Sequence, residues 1–355
     1  SGGYQAQRQN FSREARRLGS AAGAEEMMER VLVTGGGGFL GSAIVRQLLD
    51  HGCTVTVVGR HSYKQVERWG ASCLVGDIGD KDFTMQACRD IDTVFHAAAK
   101  AGIWGSWGEY RKVNIEGTIN IADSCKLNGV SCLVYSSTPS VVFERTSIEG
   151  GDESLAYAKR FLCGYAESKV AAERYLLENQ DERLRVCALR PHLIWGPGDP
   201  HLIPRLIERG RTGELKIVGD GRNRVDITYV DNAAHAHLLA AKSLHQSSRI
   251  SGQAYFIGQE RPVYLWDWIN DLFRELGIAQ LEKKVPLLPA YLAGWLLETI
   301  HRLASLKKEP RMTRFLALQL ACSHYFNHER ARRDFGYEPL VTIEEGKQRL
   351  LASLA

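Results

Sequence analysis

The sequence has no Cys-x-x-Cys pair among its eight cysteines. Scattered thiols of this kind argue against a disulfide framework or a zinc site and fit a reducing compartment. No basic block is interleaved with aromatics, and 45 basic against 41 acidic residues leave a net charge of only +4. Nucleic acid is therefore not an expected partner. No stretch reaches the roughly 20 continuous apolar residues of a transmembrane span, and no internal repeat is present. Residues 1–29 are rich in Arg, Gln, Gly, Ser and Ala and lack the apolar core of a secretory signal. Glu14, Glu25 and Glu26 speak against a transit peptide. These residues read as a flexible extension, and the protein as cytoplasmic, with peripheral association as the remaining membrane option.

What is present is a globular composition: 355 residues, 44% hydrophobic and 24% charged, enough to bury a substantial core. Short β-branched runs at 31–33, 54–58, 73–75, 93–96, 132–135 and 186–189 read as strands. Helical periodicity separates them at 42–50, 115–128 and 164–178. Strands alternating with helices imply right-handed crossovers and a doubly wound parallel sheet, an α/β Rossmann-type architecture. Residues 30–190 form the expected Rossmann domain. Past Arg190 the rhythm loosens at Pro191, Pro197, Pro200 and Pro204. A helix at 203–209, a strand at 215–218, a helix at 230–244 and a strand at 254–257 are assigned to a smaller mixed α/β lobe. That lobe, 191–355, is expected to bind substrate and to interleave partly with the Rossmann core.

Between the first strand and helix lies Thr34-Gly35-Gly36-Gly37-Gly38-Phe39-Leu40-Gly41. This is the context a dinucleotide turn requires. Gly35 makes the tight turn, Gly38 lets the backbone approach a pyrophosphate, and Gly41 lets the helix pack close. The helix start, including Phe39 and Leu40, supplies N–H donors and a positive dipole end. Strand two ends in Gly59-Arg60, where NAD enzymes usually carry an acid for the ribose 2′-hydroxyl. An arginine can instead grip a 2′-phosphate, so NADP(H) is the expected cofactor. Asp77 and Ile78 end strand three beside the expected adenine, and Ala97, Ala98 and Ala99 leave room along the sheet edge after strand four.

Tyr165 and Lys169 sit at i and i+4 on a predicted helix and share a face. An unperturbed tyrosine titrates near pH ~10. A neighbouring ammonium is expected to lower that value and let Tyr165 protonate a carbonyl oxygen as hydride arrives at carbon. Lys169 would also hold the nicotinamide ribose. The preceding strand ends in Tyr135-Ser136-Ser137-Thr138, and a hydroxyl there stands where α/β sheets bind ligands. Asn114, at the start of the preceding helix, is a candidate for relaying a proton through water. No metal site is expected.

These residues together resemble the extended short-chain dehydrogenase/reductases, in particular their 3β-hydroxysteroid dehydrogenase-like branch, from about Arg30 onward. The resemblance places the catalytic hydroxyl at Thr138, where the family usually has serine, and Ser136 beside the cofactor. It sets Pro191, His192 and Leu193 along the nicotinamide. Residues 96–105, 159–162, 190–197 and 322–326 are similar to the reductases of bacterial long-chain olefin biosynthesis. That implies NADPH-dependent reduction of a 2-alkyl-3-oxoalkanoate to its 3-hydroxy acid. It also implies a homodimer, with a β-lactone synthetase and a decarboxylating hydrolase as pathway partners. A hydrophobic β-keto acid needs an apolar groove, for which Trp104, Trp107 and the apolar stretch 285–306 are candidates, and a cation, for which Lys100 and His192 are candidates. The stretch 285–306 reads as a core helix or tunnel wall ahead of an interfacial face. Three other readings stay open: a steroid-type dehydrogenase, a nucleotide-sugar epimerase or dehydratase, and a non-catalytic dinucleotide-sensing protein.

Overall fold

The computed structural model describes residues 28–354. The expected extension lies outside them except for Met28 and Glu29, and Met28 is buried in the core. Seven parallel strands form one sheet: β1 (Arg30–Thr34), β2 (Thr54–Gly59), β3 (Ser72–Val75), β4 (Thr93–His96), β5 (Cys132–Ser136), β6 (Arg185–Pro191) and β7 (Gln253–Ile257). Their order is β7-β6-β5-β4-β1-β2-β3. Among the helices that cover it are α1 (Phe39–Asp50), α2 (Gly117–Asn128), α3 (Gly164–Glu178) and α4 (Val230–Gln246).

The two-residue period of a strand decides which helix each side chain meets. Val31, Val33, Phe95, Val134 and Leu189 point to one face and pack with Ile44 and Leu48 of α1 and Ala234 and Leu238 of α4. Leu32, Val94, Leu133 and Val186 point to the other and pack with Ile121 and Cys125 of α2 and Ala172 and Leu176 of α3. All are fully or nearly fully buried, and each such side chain contributes about 1.5–3 kcal/mol of hydrophobic stabilisation. A sheet hydrophobic on both faces explains why these strands read as continuous apolar runs and not as alternating ones.

The structure departs from the sequence expectation in three places. The strand at 253–257 belongs to the main sheet, hydrogen-bonded to β6, and not to the lobe. Conversely, Ile148–Gly151, from the first half of the chain, pairs with His324–Phe326 in the lobe's own four-stranded sheet. The helix expected from 115 starts at Gly117, preceded by a π-helical turn over Arg111–Glu116. Pairing across the sheet is not written in local periodicity, so the ownership of short strands is where sequence reading fails.

The lobe has its own core around Trp195, Trp266, Trp268, Phe273 and Ile217. On its rim α5 (Leu287–Leu303) packs against α6 (Arg314–Ala321).

Candidate active site

The chain leaves β1 toward β2 on one side, while β4 lies on the other. This reversal opens a crevice at the C-terminal ends of β1 and β4, where such sheets bind ligands. Gly35 adopts φ +70°, and a Cβ there would stand 2.8 Å from the Ala98 Cα. At Gly41 a Cβ would meet the Gly35 carbonyl oxygen at 2.1 Å, so only glycine lets α1 start this close to the strand end. Gly38 is the N-cap of α1; no side chain caps it and the first turn carries no acid. The Gly38 N–H donates to the Gly35 carbonyl at 2.9 Å, while the amides of the first turn of α1 point to where an anion can bind, and the turn fits a dinucleotide diphosphate.

Next to the turn runs a buried relay of hydrogen bonds. The Ala98 N–H donates to Thr34 Oγ1 (3.2 Å), which lies 2.6 Å from His96 Nδ1. His96 Nε2 is 2.9 Å from Thr118 Oγ1, whose hydroxyl donates to the Asn114 carbonyl at 2.7 Å. With the Thr118 proton committed to Asn114, His96 must donate from Nε2 and accept at Nδ1. Burial, with Lys169 nearby, lowers the His96 pKa to about 3, so the ring is neutral and structural. This relay ties the Ala97-Ala98-Ala99 segment to β1 and to the π-helical turn.

Arg60 stands exposed at the end of β2 with no ion pair among the described residues. The Tyr63 ring lies against Gly37 and Gly59, filling the space where a Cβ would be. Asp77 is already partnered: it accepts from the Gly79 N–H (2.9 Å) and pairs with Lys112 at 3.0 Å, which holds its carboxyl below the usual range. Ile78 is buried in the core, packed against Gly117.

Tyr165 and Lys169 project from one face of α3. Lys169 is buried, donates to the Ser136 carbonyl at 2.6 Å and lies 4.0 Å from the centre of the Tyr135 ring. Burial brings its pKa down to about 7, against a partial opposing pull from Glu173. The Tyr165 phenol is pushed up to about 12 by burial, opposed by a hydrogen bond with Thr138. The expected lowering of the tyrosine by the lysine is thus not what the structure has. Desolvation dominates both groups, and the ammonium is directed to the Ser136 carbonyl and the Tyr135 ring. The Thr138 hydroxyl that opposes this rise also accepts from the Ser140 N–H and donates to Ser140 Oγ, both at 3.2 Å. Ser136 is anchored through its hydroxyl to His237 Nε2 (2.7 Å), whose other nitrogen donates to the Ala233 carbonyl.

Asn114 lies inside the π-helical turn and is almost fully buried. Its Oδ1 accepts from the Lys100 N–H (2.7 Å), and its Nδ2 donates to the Lys100 carbonyl (3.1 Å) and to Ser168 Oγ (2.9 Å). Every function of its side-chain amide is therefore committed to positioning Lys100 and Ser168. Lys100 lies 3.5 Å from Glu109 and over the Tyr110 ring. Trp104 donates to the Leu306 carbonyl at 3.1 Å and packs edge-on against His301, while Trp107 is largely exposed. Pro191 ends β6 and is buried, and Leu193 is held at φ +41°, a strained conformation for leucine. His192 is no candidate for a substrate-binding cation. It is buried, its Nε2 is 2.6 Å from His324 Nδ1, and burial together with His324 holds it well below its ordinary value.

Sequence reasoning missed the group that holds α3 against β6. Glu173 is fully buried and receives two nitrogens of Arg190, as well as the Tyr157 hydroxyl at 2.8 Å. The spacing Lys169–Glu173 is again i, i+4, a signal present in the sequence but indistinguishable there from a surface pair.

Compared with known proteins, residues 32–287 match the 3-beta hydroxysteroid dehydrogenase/isomerase family. A 2-alkyl-3-oxoalkanoate reductase of Shewanella oneidensis is 45% identical over 92% of this chain and 87% of its own. One from Stenotrophomonas maltophilia is 44% identical over 92% of this chain and 99% of its own. A mouse sterol-4-alpha-carboxylate 3-dehydrogenase, decarboxylating, is 34% identical over 92% and 91%. Among solved structures, MoeE5 in complex with UDP-glucose and NAD superposes with a TM-score of 0.71 at 26% identity, covering 92% of this chain and 98% of that one.

Proposed function

The chain belongs to the 3-beta hydroxysteroid dehydrogenase/isomerase family, and we propose that it reduces the 3-keto group of a 2-alkyl-3-oxoalkanoate with NADPH. As a member it is an oxidoreductase acting on an alcohol or carbonyl carbon. The observation that carries the finer reading is near-full-length similarity to two reductases of that name, in a chain that has Thr138 beside Tyr165 and Lys169 one turn further along α3. When bound, the dinucleotide supplies a hydride to the carbonyl carbon.

The protein's own residues do the rest. The amides at the start of α1 bind the diphosphate, and Arg60 takes the 2′-phosphate, which an acid at this position would repel. Lys169, at the crevice end of α3, holds the nicotinamide ribose. Tyr165 and Thr138 hydrogen-bond the ketone oxygen, and their aligned donors stabilise the charge that develops there. Burial keeps Tyr165 protonated through the neutral range, so it enters the reaction as the acid and delivers its proton to the alkoxide oxygen. A homodimer and a β-lactone-forming partner that consumes the 3-hydroxy acid belong to the same proposal.

The test is NADPH oxidation at 340 nm with a synthetic long-chain 2-alkyl-3-oxoalkanoic acid, wild type against Tyr165→Phe. Loss of one acid catalyst lowers the rate by about 10²–10⁴-fold. Folded wild type that binds NADPH yet leaves this substrate unreduced overturns the reading, and a 3-ketosteroid or 3β-hydroxysteroid is then the substrate to try.

A further inference from the structure

Tyr63 precedes a short helix, Lys64–Trp69, without capping it through its side chain. Its ring reaches back to the glycine turn instead. A Cβ on Gly37 would stand 2.1 Å from Tyr63 Cδ1, and one on Gly59 would stand 2.4 Å from Cε2 and 2.5 Å from the phenolic oxygen. A single ring thus lies across two glycines from different elements. Neither of them adopts a positive φ. Their missing side chains serve space and not backbone freedom, and Tyr63 is what occupies the space. The ring is also held from behind. Ser62 Oγ donates to Glu67 Oε1 at 3.0 Å, the Glu67 N–H donates to the Tyr63 carbonyl at 3.2 Å, and Val66 is buried in the core against which Tyr63 packs.

The hydroxyl at the end of this ring is uncommitted. Tyr110, Tyr157, Tyr175, Tyr255 and Tyr337 each donate to a carbonyl or a carboxylate. The Tyr63 hydroxyl has no hydrogen-bond partner among the described residues. It lies against Gly59, the last residue of β2, and the next residue is Arg60, exposed and without an ion pair among the described residues. Two nearby carboxylates are already engaged: Glu67 accepts from Ser62, and Asp77 is paired with Lys112 at 3.0 Å. This strand end is where a dinucleotide-binding sheet meets the adenosine ribose. A ribose 2′-hydroxyl there is best met by an acid, whereas a 2′-phosphate needs donors. Hydrogen bonds to such a charged acceptor are about twice as strong as neutral ones. A phenol and a guanidinium at one strand end suit the phosphate.

We propose that Tyr63 is a second determinant of cofactor choice, whose hydroxyl donates to the adenosine 2′-phosphate beside Arg60. Gly37 and Gly59 are the seat that keeps the ring at this strand end, and the Ser62–Glu67 bond fixes the backbone that carries it. The inference rests on the NADPH reading above and deepens it. It does not depend on which ketone is reduced.

The test is calorimetric titration of the full chain, wild type against Tyr63→Phe, with thermal unfolding as the folding control. The probes are NADPH, NADH, adenosine 2′,5′-bisphosphate and 5′-AMP, so that the adenosine end is read with and without the nicotinamide and no turnover is needed. The variant removes the hydroxyl and keeps the ring. It should weaken NADPH and the bisphosphate by about tenfold or more, the range of one hydrogen bond to a charged group. NADH and 5′-AMP should keep their wild-type affinities. A Tyr63→Phe protein that binds NADPH as tightly as wild type overturns the proposal, as does one that loses all four probes equally, because the residue is then only a wall of the ribose site. A wild type that binds NADH as tightly as NADPH overturns the cofactor reading itself. A wild type that prefers NADPH, with the whole preference kept in the variant, overturns the role of Tyr63 alone.

Discussion

Replacing Lys169 with methionine should stabilise the fold while abolishing activity. In the unfolded chain this lysine titrates near its ordinary 10.5, and in the folded protein burial brings it to about 7. The unfolded state therefore binds the proton more tightly between those two values. At pH 7 that difference acts against folding by roughly 4 kcal/mol. The methionine variant escapes this cost but loses the charge-assisted bond to the Ser136 carbonyl, worth about 1.5–3 kcal/mol. The net expectation is a gain of about 1–3 kcal/mol at pH 7. The sign fixes how this changes with pH. Wild-type stability rises from pH 7 toward 10.5, because the folded state no longer has to hold a proton there, at about 1.4 kcal/mol per pH unit from this residue. The variant lacks that slope. Urea denaturation of both proteins at pH 7 and pH 9 should show the gap between them shrinking by about 2–3 kcal/mol. A gap that stays constant would refute the argument, since it would mean that Lys169 keeps an ordinary titration in the folded state.

Lys169 also sets the pH dependence of reduction. Tyr165 at about 12 stays protonated across the assay range, so a fall in rate as pH rises through about 7 reports the lysine losing its charge. In Lys169→Arg that fall should vanish, even though the overall rate is lower; a fall that persists at the same pH assigns it to another group. Thr138→Ser should retain most activity, whereas Thr138→Val should lose about 10²-fold or more with NADPH binding unchanged, checked by kcat and fluorescence titration. Arg60→Glu should lower kcat/KM for NADPH by roughly 10–100-fold and leave NADH unaffected; equal losses with both cofactors would remove Arg60 from the 2′-phosphate. Glu173→Gln leaves the Arg190 guanidinium buried without its counter-charge, and denaturation should show a loss of about 3–5 kcal/mol.

Much of the framework was legible because it depends on local pattern. The glycine turn, the β-branched runs and the Tyr-x-x-x-Lys pair each declare themselves within ten residues, and the structure sets Tyr165 beside Thr138 with Lys169 one turn further along the same helix. What was not legible depends on partners far along the chain. Ile148–Gly151 pairs with a strand some 170 residues later, and the strand at Gln253–Ile257 crosses back to β6. Neither pairing leaves a trace in hydrophobic periodicity. Asn114 has the same history: a relay candidate by sequence, its side chain is also a clamp between Lys100 and Ser168 once α2 and α3 are neighbours.

The charges show most sharply why. From sequence, Lys169 is a cation near a phenol, and the sign of the effect on Tyr165 seems decided. Two quantities absent from a sequence reverse it: how deeply each group is buried, and which acceptor the ammonium chooses. The Ser136 carbonyl at 2.6 Å and the face of Tyr135 take the ammonium, and burial acts on both groups in the direction of their neutral forms. A neutral tyrosine is the form a ketone reductase needs, since the proton must be there to give. The buried lysine is then a cost to the fold, and the Glu173–Arg190 pair one turn further along α3 anchors the helix that carries it. The apolar stretch at 285–306 teaches the same lesson in hydrophobic form. Its composition predicts burial, and Leu287 and Tyr291 do pack on the lobe's core, but the glycine and alanine that seat α5 against α6 leave Leu288, Leu292, Leu296 and Leu303 exposed.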